Sequence, residues 1–323
     1  MRSYRIALPA LTAVALLVVS CGSTPETAPA PAKEEAAGPP VMAAELIGSD
    51  GSWGNTEGPA VDSKGTLYFT SRGSFKGIVA WTQAAGASQY LAVATGAGPG
   101  GLWIDGQDNI YLTATNERQI LKVSPDKKVS VAAEKFEADP EVSKGPNDLV
   151  VASGGTVYFT APNGYDGSAP NGTVYRTSAD GKTSVFSGEI TGPNGIVLSA
   201  DETTLYVSHN TAPTTAKIEA WPIQSDGTAG PMRELITVPD CVADGMAVDQ
   251  QGNVWLTCYS FGTAHLVSPQ GTILQTITTE QKALTNAVFG RGDDNHTLYL
   301  TSSDMERVTG YVYRAKVEIP GLR

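Results

Sequence analysis

Short runs in which apolar and polar positions alternate recur along this chain. Six of them share one form: Thr or Asn, an apolar residue, Tyr or Trp, an apolar residue, Thr or Ser. They are T-L-Y-F-T (66–70), N-I-Y-L-T (109–113), T-V-Y-F-T (156–160), T-L-Y-V-S (204–208), N-V-W-L-T (253–257) and T-L-Y-L-T (297–301). Period-two alternation puts successive side chains on opposite faces, so each run predicts a β-strand. Another apolar run begins about ten residues upstream of each. Polar turns such as Asp62-Ser63-Lys64-Gly65 or Asp249-Gln250-Gln251-Gly252 separate the two, which predicts a hairpin in every repeat.

Aligning the upstream runs brings Glu57, Gly100, Asn147, Asn194, Asp244 and Asn286 into one column, at intervals of 43, 47, 47, 50 and 42 residues. A strand-rich period of about 40–50 residues is the signature of propeller blades. Less regular strands follow the hairpins, at 77–82, 119–124, 172–177, 218–223, 264–268 and 310–316. The expected fold is all-β: a six-bladed β-propeller with four-stranded blades over 41–323. Residues 41–47 precede the first hairpin and are expected to complete the last blade, closing the ring and removing free sheet edges.

This topology orders the chemistry. If each inner strand crosses from one face of the ring to the other and the second strand returns, the column shares a face with the residues just after the second strands. That set is Arg72, Thr115, Asn163, His209, Asn210, Tyr259 and Ser303. They are candidates for the walls of one pocket, with the column at the channel mouth.

The amino-terminal region stands apart from this pattern. Arg2 and Arg5 precede an apolar stretch, 6–19, too short to span a bilayer as a helix, and Val18-Val19-Ser20-Cys21 resembles a bacterial lipobox. Residues 1–20 read as a lipoprotein signal peptide and Cys21 as the lipidated residue, against the plainer reading of a cleaved secretory signal with an incidental cysteine. Residues 21–40 carry five prolines and no large apolar side chain, and read as a disordered tether. The expected location is the cell envelope, with the membrane as partner through the anchor and the chain as a monomer.

The chain has 33 acidic and 22 basic residues, a formal net charge of -11, and no basic patch, which argues against a nucleic-acid partner. Beyond Cys21 the cysteines are Cys241 and Cys258, almost opposite each other across a predicted hairpin. In an exported protein such a pair either closes a disulfide or stays as two buried thiols.

Glu57, Asn147, Asn194 and Asp244 would project oxygen toward a common axis from four blades. Two carboxylates and two amide carbonyls form a hard, oxygen-only set that suits one divalent cation, Ca2+ above zinc or copper. Taken singly, P-N-G, P-N-D and A-D-G are ordinary turn signals. Their common register, with a Glu that no turn requires, favours a site.

The segments E-G-P-A-V-D (57–62), G-P-N-D-L-V-V (145–151), G-P-N-G-I-V-L-S-A-D-E-T-T-L-Y-V (192–207) and A-D-G-M-A-V-D-Q-Q-G-N-V-W (243–255) resemble the senescence-marker-protein/gluconolactonase family over essentially all of 41–323. The resemblance implies a six-bladed propeller, a catalytic divalent ion in the central channel, usually calcium, and activity on lactones or related esters. By position it implies Glu57, Asn194 and Asp244 as metal ligands, with Asn147 approaching metal or substrate. Some sugar-lactone members carry an arginine where this chain has Gly145, and some an acid where it has Ala161 and Pro162. The first departure draws the substrate away from gluconate-type lactones.

The expected function is metal-dependent hydrolysis of a lactone or related ester, with Asp244 as ligand and proton acceptor and His209 as the next candidate base. Asn147, Arg72, Tyr259 and Asn286 are the candidate substrate contacts. The alternative is a surface-tethered, non-enzymatic binding module in which a structural calcium ion staples the blades, since propellers host many unrelated functions.

Overall fold

The computed structural model describes residues 38–134, 145–167, 170 and 172–322. Cys21, the expected signal peptide 1–20 and tether residues 21–37 lie outside the described residues. The described chain opens with two short strands, β1 (Val41–Ala43) and β2 (Glu45–Asp50). Four four-stranded meanders follow. The first is β3 (Thr56–Val61), β4 (Leu67–Arg72), β5 (Lys76–Thr82) and β6 (Gly86–Ala92). The second is β7 (Leu102–Ile104), β8 (Ile110–Ala114), β9 (Gln119–Val123) and β10 (Val129–Ala133). The third is β11 (Leu149–Val151), β12 (Val157–Ala161), β13 (Thr173–Thr177) and β14 (Thr183–Val185). The fourth is β15 (Pro193–Leu198), β16 (Thr204–Ala212), β17 (Thr215–Pro222) and β18 (Arg233–Pro239).

The remaining strands are β19 (Val242–Val248), β20 (Val254–Tyr259), β21 (Thr263–Val267), β22 (Ile273–Thr278), β23 (Ala283–Phe289), β24 (Thr297–Ser303) and β25 (Gly310–Lys316). With β1 and β2 they form one nine-stranded sheet. The fold is an all-β propeller, and two sequence expectations are corrected in it. The last two repeats are not separate four-stranded sheets, because Tyr259 of β20 pairs with Ala283 of β23 and carries the ladder across. Residues 41–47 divide: 45–47, in β2, complete the last blade as expected, and 41–43, in β1, do not. β1 runs parallel to β22, where Met42 packs against the cluster around Trp255 and Ile277, and only β2 joins β25.

The core lies between neighbouring sheets. Ala60 and Ile78 of the first sheet pack with Leu102, Ile104 and Leu112 of the second, and Phe69 and Trp81 pack with Tyr299 and Val312 from the other end of the chain. Inner strands touch in a cycle: β3 on β7, β7 on β11, β11 on β15, β15 on β19, β19 on β23, and β23 back on β3.

The hydroxyl that ends the repeated motif has a specific task in this packing. Thr70 donates to Gly100 O at 2.8 Å, Thr113 to Asn147 O at 2.8 Å, Thr160 to Asn194 O at 2.6 Å and Ser208 to Asp244 O at 2.7 Å. Each bond runs from one repeat to the column residue of the next. Thr257 donates to Thr285 O, one residue before the column, and Thr285 donates to Thr56 O at 2.8 Å to complete the circuit. Each bond gives a buried carbonyl a partner across a repeat boundary, so the motif's Thr/Ser helps fix where the next column side chain stands.

Candidate active site

The column falls where the strand ladder is interrupted. Register shifts lie between Glu57 and Ala60, Pro193 and Ile196, Ala243 and Met246, and Leu284 and Asn286. In the other two repeats the inner strand begins only after the column residue, at Leu102 and Leu149. A bulge breaks the alternation and re-aims a side chain, which lets Glu57, Asn194, Asp244 and Asn286 leave the sheet faces and turn toward the axis.

Glycines after the column residues permit the crowding this creates. A Cβ on Gly101 would stand 2.2 Å from Asp148 Oδ1, and one on Gly245 would stand 1.9 Å from Asn286 Oδ1. Neither contact is tolerable, so these two positions need a residue without a side chain.

The resulting cluster is buried and polar. Asn147 Nδ2 donates to Asn194 Oδ1 at 2.6 Å, and Asn194 Nδ2 donates to Ala243 O at 3.0 Å, a chain of amides that links three repeats. Asn286 Nδ2 donates to Asp148 Oδ2 at 3.1 Å while its own Oδ1 accepts from Ala287 N. Gly58 N donates to Glu57 Oε2 at 3.3 Å.

Asp148 is the residue that the column missed. It reads as a turn residue in G-P-N-D, yet its carboxylate is buried beside Asn286. Below it the inner strands enclose a cavity of about 210 Å3 with mainly apolar walls, including Leu102, Ile104, Ile196 and Met246.

Burial governs the electrostatics of the cluster, because a low-dielectric surrounding disfavours ionised carboxyls. Burial pushes Glu57 up to about 7, against the lowering field of Arg72 and with a further push from Asp148. Burial likewise pushes Asp148 up to about 7, opposed by bonds from Leu149 N and Asn286. Asp244 is raised well above the carboxylate range, by burial first and then by Glu57 and Asp148. Three acids thus meet where their negative charges oppose one another.

Around this floor stands a rim. Arg72 ends β4, and its field reaches Glu57. Arg307 Nε donates to Tyr259 OH at 3.0 Å, with the guanidinium 5.4 Å from the Tyr259 ring centre. Burial and then the fields of Asp244 and Glu57 raise the Tyr165 phenol, although 41% of that residue's surface reaches solvent, so the hydroxyl is its sheltered part.

Not every expected residue joins. His209 is buried, with Nδ1 3.2 Å from Thr191 O and Nε2 3.2 Å from Glu219 Oε1, the latter contact lacking hydrogen-bond geometry. Asn286 Nδ2 donates to Asp148, and Asn147 presents its amide nitrogen to Asn194. Gly145 has φ 111°, and a Cβ there would stand 2.0 Å from Thr115 O, so no side chain fits at that position. Cys241 and Cys258 form a disulfide with Cα atoms 4.7 Å apart, three residues from Asp244 in sequence at its nearer end.

Among the described residues no group of three or more His, Cys, Asp or Glu has a metal-holding arrangement. The candidate donors are a mixed set: Glu57 and Asp244, whose charges act on each other, and the Asn194 amide, whose Nδ2 donates to Ala243 O and whose Oδ1 accepts from Asn147 Nδ2. Mutually repelling buried carboxylates with an oriented amide oxygen fit a hard divalent cation.

Residues 55–304 match the SMP-30/Gluconolactonase/LRE-like region. The chain is 28% identical over 295 residues to a gluconolactonase of Zymomonas mobilis, covering 80% of this chain and 78% of that one. Among solved structures, the calcium-binding protein regucalcin of Agrobacterium tumefaciens superposes with a TM-score of 0.71 at 18% identity, covering 87% of this chain and 96% of the other. A gluconolactonase of Xanthomonas campestris superposes with a TM-score of 0.66 at 22% identity, covering 85% and 98%. The chain belongs to the SMP-30/gluconolactonase/LRE-like family.

Proposed function

We propose that this protein is a divalent-metal-dependent hydrolase of lactones or related esters. The observation that carries the reading is the burial of Glu57 and Asp244 within reach of each other's charge, with the Asn194 amide beside Asp244, from three repeats. The gluconolactonase relative supports the substrate class, and the calcium-binding neighbour supports the choice of ion. On this reading the nine-stranded sheet is two blades joined at Tyr259 and Ala283, and the ring has six, as the cycle of inner strands suggests.

Glu57, Asn194 and Asp244 would hold the cation. When bound, it supplies a Lewis acid for the ester carbonyl and charge for the oxyanion. Asp244 takes the proton from the attacking water as the water oxygen bonds to the carbonyl carbon. It returns that proton to the ring oxygen as the acyl C–O bond breaks, which leaves the free hydroxy acid. Asn147 orients Asn194 and meets the substrate from the open side, while Arg72, Tyr259 and Arg307 wall the mouth. His209 has a packing role.

The stapling alternative has one observation in its favour: the amide chain from Asn147 through Asn194 to Ala243 already ties repeats together, and an ion there would tie them further. Hydrolysis of a lactone and aryl-ester panel with and without chelator separates the two. Turnover that disappears with chelator and returns with calcium supports the enzyme. A bound ion with no turnover on any substrate supports the staple.

We further propose export with a lipid anchor at Cys21. The Cys241–Cys258 disulfide favours an oxidising compartment. Cys21→Ala should move the protein from the membrane fraction to the soluble one, and a protein that stays in the membrane fraction would count against the anchor.

A further inference from the structure

We infer that Arg72 and Arg307 form an anion-recognising subsite at the mouth of the column, so that the lactone hydrolysed here carries a second, negatively charged group. The inference rests on the lactonase reading above and assigns its substrate class.

The two arginines are brought together by built structure. Arg307 sits in the turn after β24 with φ 59°, a left-handed conformation uncommon for a residue with a side chain. Asp304 holds it there: its carboxylate accepts from Val308 N at 2.7 Å and Thr309 N at 2.9 Å, and its carbonyl accepts from Arg307 N at 3.0 Å. Tyr259, from the neighbouring repeat, takes the Nε proton and lies against the guanidinium, leaving the two terminal nitrogens without a hydrogen bond among the described residues. Arg72 N donates to Trp53 O and Asn55 O, and a Cβ on Gly98 would stand 3.2 Å from the Arg72 Cβ and Cγ. Gly54 lies against Gly73, the residue after Arg72, and against Arg307: a Cβ there would lie 2.6 Å from Gly73 Cα and 3.2 Å from Arg307 O.

Neither guanidinium has a carboxylate within ion-pair distance among the described residues. Both act on Glu57 only through space. A divalent cation on Glu57 and Asp244 would cancel those two charges and leave Asp148 as the one clustered acid against two arginines, so the loaded mouth would be positive in a chain whose net charge is -11. A local field of one sign inside a cleft concentrates ligands of the other. The planar guanidinium fork matches a carboxylate, sulfonate or phosphate through paired hydrogen bonds, which a neutral sugar hydroxyl cannot reproduce. Gly145 leaves no room for a cationic side chain at its own position.

The test compares two lactones that differ in one group, D-glucaro-1,4-lactone with its free carboxylate and D-glucono-1,4-lactone with a hydroxymethyl there, on the full calcium-loaded protein. The expected kcat/KM ratio favours the anionic lactone by about tenfold at low ionic strength and shrinks with added salt. Arg307→Gln and Arg72→Gln should each lower that ratio about fivefold, mainly through KM. Arg314→Gln, which removes an exposed pair with Glu45, should leave the ratio unchanged. A wild-type ratio at or below one, or a ratio that neither variant moves, overturns the inference.

Calorimetric binding of D-glucarate and D-gluconate gives a readout independent of turnover. If neither lactone is hydrolysed, the lactonase reading fails. Tighter glucarate binding that Arg307→Gln removes would still establish the subsite, and equal binding of the two anions would overturn it.

Discussion

Thr160 on β12 donates its hydroxyl to the backbone carbonyl of Asn194 on β15 at 2.6 Å, across the boundary between two sheets. The equivalent bond in the first repeat, from Thr70 to Gly100 O, ends on a residue with no side chain. One repeated contact therefore supports a ligand in one place and only the scaffold in another.

This difference can be measured. Thr160→Val and Thr70→Val each leave a buried carbonyl short of a partner and should each cost about 1–2 kcal/mol in denaturant unfolding. Only Thr160→Val should also weaken calcium binding, by at least about threefold in calorimetric titration, because it loosens the strand that aims Asn194. Equal effects on calcium in both variants would mean that the staple does not position the ligand.

The metal-free protein should lose stability as pH rises from about 4 through about 7. Glu57 and Asp148 have folded values of about 7, above the ordinary 4.5 and 3.8, and Asp244 moves in the same direction. Within that window the folded state binds more protons than the unfolded chain. Their contribution is therefore fully present below the unfolded values and is lost as pH climbs through the folded ones. Urea unfolding at pH 5 and pH 8 in chelator should show the fall, on the order of a few kcal/mol, and Asp148→Asn should flatten it. Calcium at pH 8 should restore what was lost.

His209→Gln should act on stability more than on chemistry. Its ring is held by Thr191 and Glu219 inside the fourth sheet, and removing it leaves the buried Glu219 carboxylate without that partner. A lower melting temperature with kcat reduced less than about tenfold is the expected result. A drop of about a hundredfold or more, with folding intact, would return His209 to the catalytic machinery.

Replacing both Cys241 and Cys258 by Ala opens a bridge that spans 17 residues of sequence. The expected loss is about 2–3 kcal/mol, read in thermal unfolding under non-reducing conditions. Mass spectrometry of the untreated protein should find no free thiol at either position.

The column was legible from sequence because its residues follow a motif that repeats at nearly constant spacing, and register along a strand carries over directly to position around a ring. Glu57, Asn194 and Asp244 could be aligned for that reason. Asp148 could not, since a P-N-D turn gives an acid a sufficient local reason to be there, and only the space over Gly101 shows that its carboxylate turns inward. Arg307 was hidden differently: it lies in a turn outside every repeat motif, and its partner Tyr259 is 48 residues away. The parallel pairing of β1 with β22 depends on how a three-residue strand packs after the ring is built, which alternation in 41–47 cannot encode. His209 was placed in the correct strand, but β16 presents it to Thr191 and Glu219, and that choice depends on the neighbouring strand β17.

The central claim is that Glu57, Asn194 and Asp244 hold one divalent cation on which hydrolysis depends. Its most direct test is a calorimetric calcium titration of chelator-treated protein, with lactone hydrolysis followed in the same samples. One ion per chain, activity that returns in step with occupancy, and loss of both in Asp244→Asn are the expected results. Absence of saturable binding, or full turnover in chelator or in the Asp244→Asn variant, would contradict the account.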